Sequence, residues 1–314
     1  MTKEDLRIVY MGTPDFAVES LKALVEGGYN VVAVVTMPDK PMGRHGSVLQ
    51  PSPVKQYAVE HNLKVLQPEK LKDSAFVEEL RSLRADLQIV VAFRMLPEIV
   101  WSMPPLGTFN AHASLLPKYR GAAPINWAVI NGDTETGMTT FMLKHEIDTG
   151  DIIDQVKIPI ADTDNVEIVH DKLMELSGKL VLKTVDSIIA GTFTTTPQEE
   201  GEVTAAPKIF RETCRIDWNQ PAKRIYDFIR GLSPYPAAWT TLNGKSVKIY
   251  EAEKVENQEF GETGTIKTDG KTFIKVITAD GMLNIKVLQL EGKKRMPVTD
   301  LLRGTKLEEN AIFV

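Results

Sequence analysis

Hydrophobic positions in this chain keep two different periods, and the change of period divides it into parts. Leu6–Tyr10 and Val31–Thr36 are short apolar runs of strand length, the second rich in β-branched residues. Between them, Phe16–Val25 repeats apolar residues at helical spacing. Further strands are predicted at Leu87–Ala92, Gly107–Ala111, Met138–Leu143 and Ile152–Ile158. Helices are predicted after Pro51-Ser52-Pro53, over Ala75–Leu83 and Pro124–Ile130, and over the long stretch Val166–Ile189, which Gly191 ends. Met37–Gln50 reads as a long loop. Short apolar strands alternating with helices imply an α/β domain with a mostly parallel sheet covered on both faces.

Beyond residue 190 the pattern changes. TFTTTPQEEGEVTAAP lacks a helical period and reads as a surface linker. After it, Ser246–Val255, Gly264–Asp269, Thr272–Asp280 and Gly281–Gly292 alternate as strands between Gly, Asp and Asn turns, the spacing of a small closed barrel. The chain is thus divided into a domain over 1–190, a linker over 191–207 and a β-barrel domain over 208–314.

Composition narrows the function classes. Hydrophobic residues make up 43% and charged residues 25% of 314 residues, ordinary for a globular protein. A single cysteine, Cys214, excludes an internal disulfide framework and a cysteine-based zinc cluster. His45, His61, His145 and His170 lack metal-ligand spacing, so no metal is expected. No apolar run nears the ~20 residues of a membrane span, and a cytoplasmic location is expected. Net charge is −5, but the distribution is uneven. From Lys208 onward 18 Lys and Arg face 14 Asp and Glu, whereas residues 1–207 hold 19 against 28. Lys293, Lys294 and Arg295 form the densest basic cluster of the second part.

The chemistry concentrates between Phe109 and Gly150. Asn110 and His112 straddle the end of the short β-like run GTFNAH, and residues two apart in a strand share a face. A turn at Glu146–Gly150 would bring Asp148 to the same space. An amide donor, an imidazole and a carboxylate suit attack of an amine on a carbonyl. The Asn holds the oxyanion, the His carries the proton, and the Asp orients and charge-stabilises the His. Gly12 alone stands where a dinucleotide fingerprint needs three glycines, which argues against NAD.

FNAHASLLPKYRG followed by IDTGD resembles the signature of the folate-dependent formyltransferases. The likeness spans nearly the whole chain and is strongest to members that formylate methionyl-tRNA. RIVYMGTPDFAVESL resembles the family's first strand, loop and helix, and MPDKPMGRHGSVLQPSPVKQYA its basic loop, which enters the acceptor end of the tRNA. RIDWNQPAKRIYDFIRGLSPYPAAW resembles the start of the C-terminal domain.

The resemblance implies a Rossmann-like formyltransferase domain followed by an OB-like barrel that assists tRNA binding. It implies Asn110, His112 and Asp148 as the catalytic trio. Ser114, Leu115, Leu116 and Pro117 would line the folate site together with Phe93, Arg94, Leu96 and Ile147. It further implies tRNA contacts from Lys40 and Arg44, with Lys293, Lys294 and Arg295 as auxiliaries. The donor would be 10-formyl-tetrahydrofolate, the acceptor methionyl initiator tRNA, and the enzyme a monomer. Two departures stand out. Ala113 replaces a usual Gly, and the AFRMLP segment places Arg94 where a small residue is usual beside the pterin. A formyltransferase of amino-sugar nucleotides shares the trio and is the nearest alternative. A catalytically silent RNA-binding relative is the alternative from a different class.

Overall fold

The computed structural model describes residues 1–308 and 310–314. Its first elements are β1 (Ile8–Gly12), α1 (Asp15–Glu26), β2 (Val31–Val35), β3 (Lys40–Met42), β4 (Val48–Gln50), α2 (Pro53–Glu60), β5 (Val65–Leu66), α3 (Ser74–Ser82), β6 (Leu87–Val91), α4 (Glu98–Trp101) and β7 (Thr108–His112). There follow β8 (Arg120–Gly121), α5 (Pro124–Ile130), β9 (Glu135–Met142), β10 (Ile152–Pro159), α6 (Val166–Ala190) and β11 (Ala205–Ala206). The remainder is α7 (Ala222–Leu232), β12 (Ala238–Leu242), β13 (Lys245–Lys254), β14 (Ile266–Thr268), β15 (Ile274–Thr278), β16 (Gly281–Leu290), β17 (Met296–Pro297) and α8 (Val298–Gly304).

These elements form two compact units, neither continuous in sequence. The first comprises 1–121, 136–158 and 170–205, the second 122–135, 159–169 and 206–314. Alongside the sequence division into 1–190, a linker over 191–207 and 208–314, the compact units group α5 and the segment before α6 with the later part of the chain.

The first unit is built on a seven-stranded sheet in the order β10-β9-β7-β6-β1-β2-β5. Strands β7, β6, β1, β2 and β5 pair in parallel, while β9 runs antiparallel to β7. Every residue of β1 and β6 is buried, as required of a strand covered on both faces. Helix α1 buries Phe16, Ala17, Ser20, Leu21 and Leu24, an i, i+3/i+4 stripe. Helix α2 starts as its sequence predicts. Pro53 occupies the first turn, and the Ser52 hydroxyl accepts the Lys55 amide at 3.0 Å. Gly12 ends β1 where a Cβ would lie 2.7 Å from the Ala17 Cβ and 2.8 Å from the Val91 carbonyl. Close packing of strand on helix thus accounts for this glycine without a pyrophosphate.

Met37–Gln50 is not a plain loop. β3 and β4 pair as an antiparallel hairpin, with Met42 opposite Val48. Three-residue strands are too short for their alternation to register in the sequence. The hairpin root is held by Asp39, which takes two bonds from Lys55 at 3.0 and 2.9 Å and one from Gln67 at 2.7 Å. Lys55 and then Gln67 hold the Asp39 carboxyl below its ordinary range.

In the second unit β12, β13, β16, β15 and β14 form one antiparallel path, with β17 added to β16. Residues 311–314 join its two edges. Thr241 and Val314 exchange backbone bonds at 3.0 Å, Phe313 donates to Gly264 at 2.8 Å, and Ile266 donates to Ala311 at 2.7 Å. The result is the small five-stranded barrel expected of an OB-like domain. Its core holds Ile249, Ile274, Val276, Leu283 and Ile285, and α7 contributes Ile225, Ile229 and Leu232.

Helix α7 also buries charge. Asp227 accepts Arg230 Nε at 2.8 Å and Lys223 Nζ at 2.5 Å, and Arg230 donates to the Asp164 carbonyl at 2.9 Å. Asp227→Ala would strand a guanidinium that is 8% exposed. Such a loss is expected to destabilise the protein by about 3–5 kcal/mol, measured by denaturant unfolding of the whole chain. A change below about 1 kcal/mol would mean that water reaches Arg230 and replaces the carboxylate.

Candidate functional site

Strand β7 carries both polar side chains of interest at its carboxyl end, where ligands bind in open α/β sheets. Asn110 pairs with Val90 on one side and Phe141 on the other; His112 pairs with Thr139. The strand period puts their side chains on one face. The Asn110 side chain is half-buried, and no hydrogen bond to it is found among the described residues.

His112 is buried and anchored through one ring nitrogen. Nε2 lies 2.8 Å from the Tyr119 carbonyl. A carbonyl only accepts, so Nε2 carries the hydrogen. Nδ1 then faces Asp148, whose Oδ2 lies 3.8 Å away. The same carboxylate oxygen accepts the Gly121 amide at 2.8 Å, and the Asp148 side chain is only 10% exposed. The Phe141 ring meets the imidazole edge-on at 6.4 Å.

Both groups that flank the imidazole come from backbone in the left-handed region, Tyr119 at φ 60° and Asp148 at φ 55°. Non-glycine residues adopt it at a cost that the surroundings must offset. For Asp148 the turn is tight because Gly150 meets β9: a Cβ there would stand 1.5 Å from the Met142 carbonyl. The Asp-Thr-Gly sequence is thus a turn, and the turn is what aims the carboxylate.

Ser114–Pro117 follows β7 directly. Ser114 Oγ donates to the Lys118 carbonyl at 2.6 Å, and Thr139 Oγ1 donates to the Ser114 carbonyl at 2.7 Å. Thr139 also accepts the Leu116 amide at 3.2 Å, and Gln155 donates to the Leu116 carbonyl at 2.9 Å. Ser114, Leu116 and Pro117 are buried and Leu115 is half-buried. The loop is therefore a rigid shelf pinned to β9 and β10. Thr139 and Gln155 carry it, and no sequence motif marks either.

The other residues implied for folate are less alike in the structure. Leu96 is 6% exposed and lies in the core cluster with Leu71 and Val100. Ile147 is 58% exposed. The Arg94 guanidinium donates to the Pro68 and Glu69 carbonyls at 2.6 and 2.8 Å and lies 5.2 Å from the centre of the Phe93 ring. Burial lowers its pKa from the ordinary arginine value. It lines a cavity of about 440 Å³ with Lys70, Leu71, Lys72, Met95, Pro97 and Glu98.

Lys40 and Arg44 are exposed on the β3–β4 hairpin, Arg44 in the single turn between its strands. Lys293, Lys294 and Arg295 lie in the turn after β16. Lys293 donates to Thr305 Oγ1 at 3.1 Å, while Arg295 stacks 4.2 Å over Tyr250 and pairs with Glu251 at 3.9 Å. Among the described residues no cluster of three or more His, Cys, Asp or Glu is placed to hold a metal. Among the described residues no helix is long and apolar enough to cross a membrane.

A parallel sheet carrying an amide, an imidazole and a carboxylate at one strand end, with a separate barrel, defines the formyl transferase class. Residues 6–185 match the formyl transferase family and residues 208–306 the formyl transferase C-terminal domain. The chain is 71% identical over 320 residues to the methionyl-tRNA formyltransferase of Phocaeicola vulgatus, with 99% of each covered. It is 68% identical over 318 residues to that of Bacteroides fragilis, covering 98% of each, and 49% identical over 321 residues to that of Porphyromonas gingivalis, covering 99% of each. The chain belongs to the methionyl-tRNA formyltransferase family.

Solved structures share the fold at low identity. WlaRD, a sugar 3N-formyl transferase, superposes with a TM-score of 0.67 at 20% identity over 92% of this chain and 99% of that one. HypX from Aquifex aeolicus in complex with tetrahydrofolic acid gives 0.66 at 20% identity over 98% of this chain and 50% of that one.

Proposed function

We propose that this protein transfers the formyl group of 10-formyl-tetrahydrofolate to the α-amino group of methionyl initiator tRNA, as translation initiation requires. The observation that carries the chemistry is the placement of His112, with Nε2 committed to the Tyr119 carbonyl and Nδ1 turned towards Asp148. The full-length likeness to methionyl-tRNA formyltransferases supports the acceptor.

The neutral amine attacks the formyl carbon; α-amines titrate near ~7.7–8.0, so a neutral fraction exists at physiological pH. The carbonyl π bond becomes an oxyanion, which the Asn110 amide stabilises by donation. His112 Nδ1, the unprotonated nitrogen of the neutral ring, takes the proton the amine sheds. The imidazolium so formed faces the Asp148 carboxylate. It returns the proton to the folate nitrogen as the carbon–nitrogen bond breaks, which yields formyl-methionyl-tRNA and tetrahydrofolate. We assign the folate to the shelf Ser114–Pro117 and to the neighbourhood of Phe93, Arg94, Leu96 and Ile147. Arg94 is held by Pro68 and Glu69, which supports backbone rather than guanidinium contacts to the pterin.

The tRNA reading rests on the hairpin. Arg44 has a planar, exposed guanidinium suited to phosphate or base edges, with Lys40 at the base and the Lys293–Arg295 turn as a second contact. Arg44→Ala is expected to lower kcat/KM for charged tRNA about tenfold and to reduce the salt slope by roughly one, with Arg44→Lys intermediate. An unchanged kcat/KM and salt slope would remove Arg44 from the interface. A monomer in the cytoplasm is the arrangement we expect for an enzyme acting on these two substrates.

The deciding experiment follows tetrahydrofolate release from 10-formyl-tetrahydrofolate with charged methionyl initiator tRNA and, in parallel, with an amino-sugar nucleotide. Release with the tRNA alone is expected. Release with the sugar alone would keep the trio and overturn the acceptor.

A further inference from the structure

The segment after α6 reads in the sequence as a passive linker, and from Gly191 to Ala205 every residue is exposed except Gln198. That one inward side chain reaches the catalytic turn. Its Nε2 donates to the Asp148 carbonyl at 2.8 Å and to the Gly150 carbonyl at 2.8 Å. Its Oε1 accepts Arg120 Nε at 3.1 Å and Nη2 at 2.9 Å. Both N–H donors and the carbonyl are therefore used within the protein, leaving the amide no donor to offer a substrate.

The partners of Gln198 are the backbone of the Asp148 turn and the guanidinium of Arg120, both beside the groups that hold the imidazole. Arg120 follows Tyr119, whose carbonyl takes the His112 hydrogen, and precedes Gly121, whose amide holds Asp148 Oδ2. Asp148 and Gly150 belong to the turn that carries the carboxylate, with Asp148 in the left-handed region. The same segment adds stitches on either side of Gln198. Thr204 Oγ1 accepts the Tyr119 amide at 2.9 Å and its carbonyl accepts the Arg120 amide at 2.9 Å. Thr196 and Ile152 exchange backbone bonds at 2.8 Å just beyond the Asp148 turn.

We infer that Gln198 is a positioning residue for formyl transfer: it ties the backbone of the Asp148 turn to the Arg120 side chain, next in sequence to the Tyr119 that anchors His112, and so sets the distance between the His112 imidazole and the Asp148 carboxylate. The inference rests on the formyl-transfer reading above. Without its two N–H bonds the strained Asp148 backbone is free to relax, and the carboxylate moves away from Nδ1. The imidazolium formed in the reaction then loses its counter-charge, while neither substrate loses a contact. The effect belongs on kcat and not on KM.

Two variants separate the donors of Gln198 from its acceptor. Gln198→Glu keeps the length and gives Arg120 a carboxylate but removes both N–H groups; Gln198→Ala removes everything. Glu199→Gln, one residue along and exposed, is the control. We expect kcat to fall about 10- to 100-fold in both Gln198 variants, with KM for charged tRNA and for 10-formyl-tetrahydrofolate within about twofold. Their melting temperatures should stay within about 4 °C of the parent protein. Glu199→Gln should match the parent protein. Parental turnover in Gln198→Glu would overturn the inference, because the Arg120 contact alone would then suffice. A raised KM at constant kcat would overturn it in favour of substrate binding, and loss of folding in both variants in favour of a purely structural role. Absence of transfer by the parent protein itself would instead overturn the formyl-transfer reading, an outcome recognisable because the control fails too.

Discussion

Replacing His112 by glutamine is expected to slow formyl transfer by about 10²- to 10⁴-fold, the largest effect of any single substitution proposed for this protein. The amide of glutamine can still donate to the Tyr119 carbonyl, which His112 Nε2 now meets at 2.8 Å. The loop after β7 therefore keeps its anchor. What disappears is Nδ1, the atom that takes the amine proton and returns it to the folate nitrogen. An amide does not exchange a proton at neutral pH, and Asp148 is left facing a neutral group. Single-turnover measurement with both substrates saturating isolates this step from binding. Turnover within about tenfold of the parent protein would remove His112 from the proton relay and require a water to carry it.

Asn110→Ala is expected to lower kcat about 100- to 1000-fold, the usual consequence of losing one oxyanion donor. The side chain is half-buried on β7, on the same face as His112, with no hydrogen bond to it among the described residues. Its truncation thus breaks no side-chain hydrogen bond of the resting protein among the described residues, and the unfolding midpoint should hardly move. Its N–H groups remain available for the charge that appears only in the transition state. Loss in kcat with unchanged KM is the signature of such a group. A loss below tenfold would overturn the assignment. The double variant should be much less than multiplicatively slower, because the amide and the imidazole act on the same intermediate.

The strand and helix periods mark most elements of the α/β part of the chain. The runs at Leu87–Ala92 and Gly107–Ala111 are β6 and β7 within a residue, and Pro124–Ile130 is α5 at both ends. Long amphipathic repeats and fully buried strands leave such marks because burial acts on each residue separately. The hairpin at Lys40–Gln50 and strand β12 left none: the first has three residues a side, and the second is closed by residues 311–314, far along the chain.

The candidate site divides in the same way. Asn110 and His112 were readable together because two residues of one strand must share a face, and Asp148 because Asp-Thr-Gly marks a turn whatever surrounds it. What local geometry could not decide is which atoms meet. The Tyr119 carbonyl on His112 Nε2 needs the intervening loop to fold back, while the Gly121 amide on Asp148 and Gln198 on the Asp148 turn join segments 27 and 50 residues apart. The Arg94 guanidinium donates to two carbonyls of the loop before α3, partners that its sequence does not name. A polar side chain carries no trace in the sequence of the partner it will find. Only the packing of β7, its following loop, the Asp148 turn and the strap before β11 brings those groups within hydrogen-bond reach. That packing gives the imidazole its direction.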